Sequence, residues 1–138
     1  MDKKILLAVD ESLQSKNAVN YAVTTSSSVK DLHYILFHVQ PMISQYLIDE
    51  AQQSPQARAE LDKVNKKNDA SARKILEQYQ NNMVRMGIDE DRIEIVTQPR
   101  TLGLAKDIID FCHVGRYDAI VVGRMRMTRL QEVFMGSV

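Results

Sequence analysis

The chain has 138 residues, 44% hydrophobic and 26% charged, which suits one globular domain with a single core. Eighteen basic and eighteen acidic side chains cancel, so no global field draws the chain to nucleic acid or to an anionic membrane. A single cysteine, Cys112, excludes an internal disulfide and a cysteine-based metal site.

Residues 5–9 are a short apolar run ended by Asp10, the pattern of a strand buried on both faces. No apolar signal segment precedes them and no run is long enough to span a bilayer; a cytoplasmic location is expected. Ser12 is placed to cap a helix in which Ala18, Val19, Ala22 and Val23 share one side. The serines at 26–28 end it. Residues 32–39 read as a second strand, rich in aromatic and branched side chains and closed by Pro41. Residues 40–55 show no clear period and hold two prolines, so a loop or lid with a short turn near Tyr46 is expected. From 56 to 86 the apolar residues Leu61, Val64, Ala72, Ile75, Leu76, Tyr79, Met83 and Met86 recur three or four apart, a helix stopped by Gly87. A third strand follows at 93–96, with Pro99 after it. Thr101 is placed to cap a helix through Leu104, Ile108, Ile109 and Phe111 to Val114, stopped by Gly115. Residues 119–122 are the fourth strand.

The order is βαβαβαβ, which predicts a parallel sheet with right-handed crossovers and helices on both faces. The first and fourth strands should then be neighbours at the topological switch point, where such folds bind ligands. Asp10, the pair Val39-Gln40 and Gly123 end three strands at that edge. Asp10 either accepts hydrogen bonds from an adenine amino group or ribose hydroxyl, or shapes a turn with Ser12. Gly123 either permits close backbone approach to a ligand or marks a plain turn. Gly136-Ser137 offers a phosphate-binding helix start, with a simple loop as the alternative. Arg124, Arg126 and Arg129 make the intervening segment basic: a phosphate clamp or a solvated loop. His33, His38 and His113 have no metal-ligand spacing, so no metal site is expected. Cys112 lies on an apolar helix face and reads as an inert thiol. No nucleophile elbow, Walker loop or zinc-binding helix occurs, and no catalytic pair is expected.

These residues together resemble the universal stress protein family from end to end. The carriers are residues 5–12 ending in Asp10-Glu11-Ser12, Ala18 with Tyr21-Ala22, Phe37-His38-Val39, residues 117–123, and the final segment from Glu132 through Gly136-Ser137-Val138. The resemblance implies an open parallel-sheet, three-layer α/β/α sandwich of the adenine-nucleotide-hydrolase-like type, Rossmann-like or flavodoxin-like, with its last strand missing. It implies one such domain over 1–138, or the N-terminal part of a longer or tandem protein. Members commonly dimerise through the final strand, so homo-oligomerisation or tandem-domain pairing is implied as the partnership. One branch binds ATP, with Mg²⁺ only alongside the nucleotide. Carried over by position, Gly123, Gly136 and Ser137 match the phosphate-binding pattern, Asp10 and Val39 face the adenosine, and Val122 and Val138 line the pocket.

Arg126 departs from that pattern at the second glycine position. A β-carbon there disfavours positive φ, and the long side chain either fills the phosphate space or binds phosphate in another pose. Weakened or altered nucleotide binding is expected. The implied function is a stress-response regulator or sensor; the alternative is an interaction module of the same fold that binds no nucleotide. An adenylating enzyme on this frame would carry a serine- and glycine-rich loop after the first strand. Asp10-Glu11-Ser12-Leu13 stands there instead, so any hydrolysis is expected to be slow and incidental.

Overall fold

The computed structural model describes residues 3–101 and 103–122. Within them four strands alternate with four α-helices: β1 (Lys3–Ala8), α1 (Leu13–Ser26), β2 (Leu32–Val39), α2 (Gln45–Ala51), α3 (Pro55–Arg85), β3 (Ile93–Gln98), α4 (Leu104–Gly115) and β4 (Ala119–Val122). The strands form one parallel sheet in the order β3-β2-β1-β4. The open α/β sandwich expected from the sequence is what the chain builds.

Its layers follow from the alternation of side chains along each strand. Leu7, Val9, Tyr34 and Leu36 point to one face and pack with Val19, Ala22 and Val23 of α1 and Leu76, Tyr79 and Met83 of α3. Leu6, Ala8, Ile35, Phe37 and Val39 point to the other and pack with Ile108 of α4. Burial on both faces explains why β1 and β2 read as unbroken apolar runs. From β1 the chain moves outward to β2 and β3, then returns across the opposite face to place β4 beside β1.

Local signals set the helix boundaries. Ser12 caps α1, its hydroxyl accepting from the Ser15 N–H at 3.1 Å. Ser54 does the same for α3, whose first residue is Pro55, a position where a missing N–H costs nothing. At the other end of α3, Gly87 adopts φ 100°. Its N–H donates to Val84 and that of Ile88 to Met83, the paired bonds of a Schellman turn.

Three boundaries differ from expectation. Residues 45–51 form α2 rather than lying in a loop; the segment contains good helix formers, and Gln45 Nε2 donates to Asp49 Oδ1 at 3.0 Å one turn on. Thr101 does not cap α4. Its N–H and hydroxyl instead donate to the two carboxylate oxygens of buried Asp107, at 2.8 and 2.7 Å, while Gly103 holds the cap position. Gly115 is the last helical residue, and the left-handed position falls on Arg116, with φ 53°. A β-carbon at 115 would meet the tip of the Tyr117 ring, which would have to shift to admit it.

Candidate functional site

Pairing of β1 with β4 puts Ala8 opposite Val122, and pairing with β2 puts Ala8 opposite Phe37. The three strand ends therefore lie side by side at the carboxyl edge, as the switch-point argument requires. Between them is a small hollow walled by Val9, Asp10, Val39 and Val122, with Leu104 and Ile108 of α4 closing the far side. Its walls are mainly apolar, and Asp10 is the one acidic residue among those around it. The hollow measures about 30 Å³, room for water but not for a purine ring.

Asp10 is held from several directions. Its Oδ1 accepts from the Ser12 N–H at 2.8 Å, the turn that sequence reasoning set against a ligand role. Its own N–H donates to Ser15 Oγ at 3.1 Å. From α3, the buried Tyr79 hydroxyl donates to the Asp10 carbonyl at 2.7 Å and lies 3.0 Å from Ser15 Oγ. The backbone of Asp10 is thus fixed on both sides, while the turn occupies only one carboxylate oxygen. The other makes no hydrogen bond among the described residues, so the turn and a ligand contact are compatible. Burial pushes the Tyr79 phenol above its ordinary 10.0; the Ser15 hydrogen bond opposes this and the Asp10 charge adds to it.

His38, read from the sequence as an ordinary histidine, is also among the residues around the hollow. Its Nδ1 lies 2.7 Å from the Val9 carbonyl. A carbonyl only accepts, so Nδ1 carries the proton in this contact, and the ring ties the end of β2 to the end of β1. Gln40 acts similarly on the other flank: its N–H donates to the Gln98 carbonyl at 2.9 Å, and its side-chain amide to Thr97 Oγ1 at 3.2 Å.

On the α4 face the Phe37 and Phe111 rings stack with centroids 4.2 Å apart, and Tyr117 follows at 5.8 Å. Cys112 sits beside this stack, half-buried rather than fully enclosed. Burial pushes its thiol from 9.0 to about 11, which keeps it protonated and unreactive at neutral pH.

Of the residues singled out from the sequence, Asp10, Val39 and Val122 are brought together. Gly123, Arg126, Gly136, Ser137 and Val138 lie outside the described residues. The sequence reading missed Leu104, Ile108, His38 and Tyr79. Tyr79 alone left a signal: a phenol inside an otherwise apolar stripe needs a partner for its hydroxyl. Among the described residues no group of three or more histidines, cysteines or carboxylates is placed to hold a metal. None of the described helices is long and apolar enough to cross a membrane.

The universal stress protein family matches residues 1–138. The chain belongs to this family. Solved universal stress proteins share the fold of the present one. A family protein from Burkholderia pseudomallei superposes with a TM-score of 0.66 at 16% identity, covering 98% of this chain and 89% of its own. The universal stress protein UspA from Lactobacillus plantarum gives 0.66 at 17%, covering 94% and 83%. A universal stress protein solved in complex with cAMP gives 0.63 at 15%, covering 99% and 86%. No similar sequence is found among the curated proteins.

Proposed function

We propose that this universal stress protein is a cytoplasmic stress-response regulator that senses an adenine nucleotide in the hollow between β1 and β4. The observation that carries this reading is the side-by-side placement of Asp10, Val39 and Val122 at the switch point, with one Asp10 oxygen making no hydrogen bond among the described residues. A carboxylate oxygen suits an adenine amino group or a ribose hydroxyl, and the apolar walls suit the flat faces of a purine. A relative of the same fold has been solved with cAMP, which supports an adenine ligand. In this reading Gly123, Gly136 and Ser137 take the phosphates, Val138 adds to the pocket wall, and Mg²⁺ enters only with them. The protein works by binding rather than by turnover, and pairs with a second copy or a second domain.

The experiment is calorimetric titration with ATP in the presence of Mg²⁺ and, separately, with cAMP. Saturable heat, lost in Asp10→Ala, is the expected result. No heat and no thermal shift at millimolar nucleotide would end the sensor reading.

One observation favours a second reading, an interaction module that binds no nucleotide: the hollow holds only about 30 Å³. Under the sensor reading, the walls must part to admit a base. The Arg126 side chain, at the second glycine position of the phosphate pattern, would further disfavour a triphosphate. The substitution Arg126→Gly separates the two readings. A gain of ATP binding from none supports the module, whereas tight binding by the unaltered protein excludes it.

A further inference from the structure

A second cavity, far larger than the hollow at the strand ends, runs between α1 and α3. It measures about 750 Å³, within the range of small-molecule sites. Lys16 and Asn20 line it from α1, Lys74, Gln78 and Arg85 from α3, and Glu11 from the loop before α1. Tyr79 contributes its buried ring. Helices side by side on one sheet face ordinarily close the space between them with apolar side chains. Here apolar side chains of the two helices meet only at the sheet; the outer facing positions are amides and cations, and Asn82 bridges to Asn20 at 3.1 Å.

The charge pattern selects the ligand. No carboxylate occurs in α1. The positions of α3 that line the cavity carry none either, although that helix holds Glu60, Asp62, Asp69 and Glu77 elsewhere. Arg73 and Lys106, away from the cavity, have carboxylate partners at 3.0 Å. Lys16, Lys74 and Arg85 have no ion pair among the described residues, and only Glu11 opposes them in the lining. Three cations with no ion pair among the described residues, along an open groove floored by Tyr79, favour an anion, and Arg and Lys with neutral amides between them suit phosphate oxygens together with hydroxyls or a ring.

We propose that the α1–α3 cavity is a binding site for a small phosphate-bearing molecule, separate from the hollow at the strand ends. The site touches Tyr79, whose hydroxyl holds Asp10, so its occupant lies one side chain away from the other site. The proposal does not depend on nucleotide binding at Asp10.

The test is a titration of the full chain with inorganic pyrophosphate, followed by amide ¹H–¹⁵N spectra, against sodium chloride of equal ionic strength. Saturable shifts are expected at Lys16, Asn20, Lys74, Gln78 and Arg85. The double substitution Lys74→Glu with Arg85→Glu should weaken binding by at least about tenfold. Those side chains are solvent-exposed, so an unchanged thermal melt checks that the variant is folded; Lys16→Ala is the alternative variant if it is not. Shifts that match chloride or never saturate overturn the proposal. Shifts confined to Ala8, His38 and Val122 also overturn it, assigning the anion to the strand ends and leaving the nucleotide reading intact. Pyrophosphate in the cavity with no heat from ATP has the opposite meaning: the cavity site stands and the sensor reading fails.

Discussion

Replacing Tyr79 by phenylalanine removes one oxygen atom and keeps the ring in the core. Tyr79 is 6% exposed, and its hydroxyl reaches the Asp10 carbonyl at 2.7 Å and Ser15 Oγ at 3.0 Å. A typical hydrogen bond contributes about 1 kcal/mol net, and a buried acceptor left unmet costs about 1–3 kcal/mol. The expected loss is therefore about 2 kcal/mol of unfolding free energy, read as a urea midpoint lowered by about 1 M with an unchanged slope. A double-mutant cycle with Ser15→Ala should show coupling of about 0.5 kcal/mol or more, because both residues hold the same backbone unit. The pH dependence adds a second reading. A phenol whose folded pKa is raised stabilises the fold fully below its ordinary value and loses that contribution as pH climbs through the folded pKa. Stability should fall from pH 10 upward, and Tyr79→Phe should flatten that slope. Tyr117 and Cys112, both raised by burial, leave a residual slope. A loss under about 0.5 kcal/mol with strict additivity in the cycle would refute the clamp around Asp10.

Further expectations concern single positions on the other side of the sheet. Cys112, held near 11, should react slowly with iodoacetamide in the native protein at pH 8, and faster at pH 10 or after unfolding in urea; rapid native labelling at pH 8 would contradict the raised pKa. Arg116→Gly relieves a left-handed backbone at φ 53° and should stabilise the domain by about 0.5–1 kcal/mol, seen as a higher melting temperature. Asp107→Asn removes the charge that accepts both Thr101 bonds. It should cost about 1–3 kcal/mol in urea denaturation and speed amide exchange at Thr101.

The strands and the two faces of the core were legible because burial on both sides forces unbroken apolar runs at residues 5–9 and 32–39. The caps at Ser12 and Gly87 were equally plain, since each acts within one helical turn of itself. Residues 45–51 were not, because flanking Pro41 and Pro55 read as loop punctuation, although Pro55 in fact opens α3 behind Ser54. Thr101 was misread because a helix cap and a bond to Asp107 call for the same side chain. At the strand ends, the meeting of Asp10 with Val39 followed from the topology, whereas Val122 was named only through the family resemblance. The Tyr79 contact joins residues 69 apart, and the α4 wall of the hollow depends on how that helix crosses the sheet. Neither is written in any local window.

The pairing of β4 with β1 bears on how the protein folds. Asp118 and Lys4, 114 positions apart, exchange hydrogen bonds at 2.9 and 2.8 Å. Closing so long a span is costly in chain entropy and is expected late, after the nearer partners β1 and β2 have met. The Val122 side of the hollow would then be the last to arrive. Any molecule that needs both sides meets a receptor only once the chain has finished folding, so its capture would report completion rather than partial order.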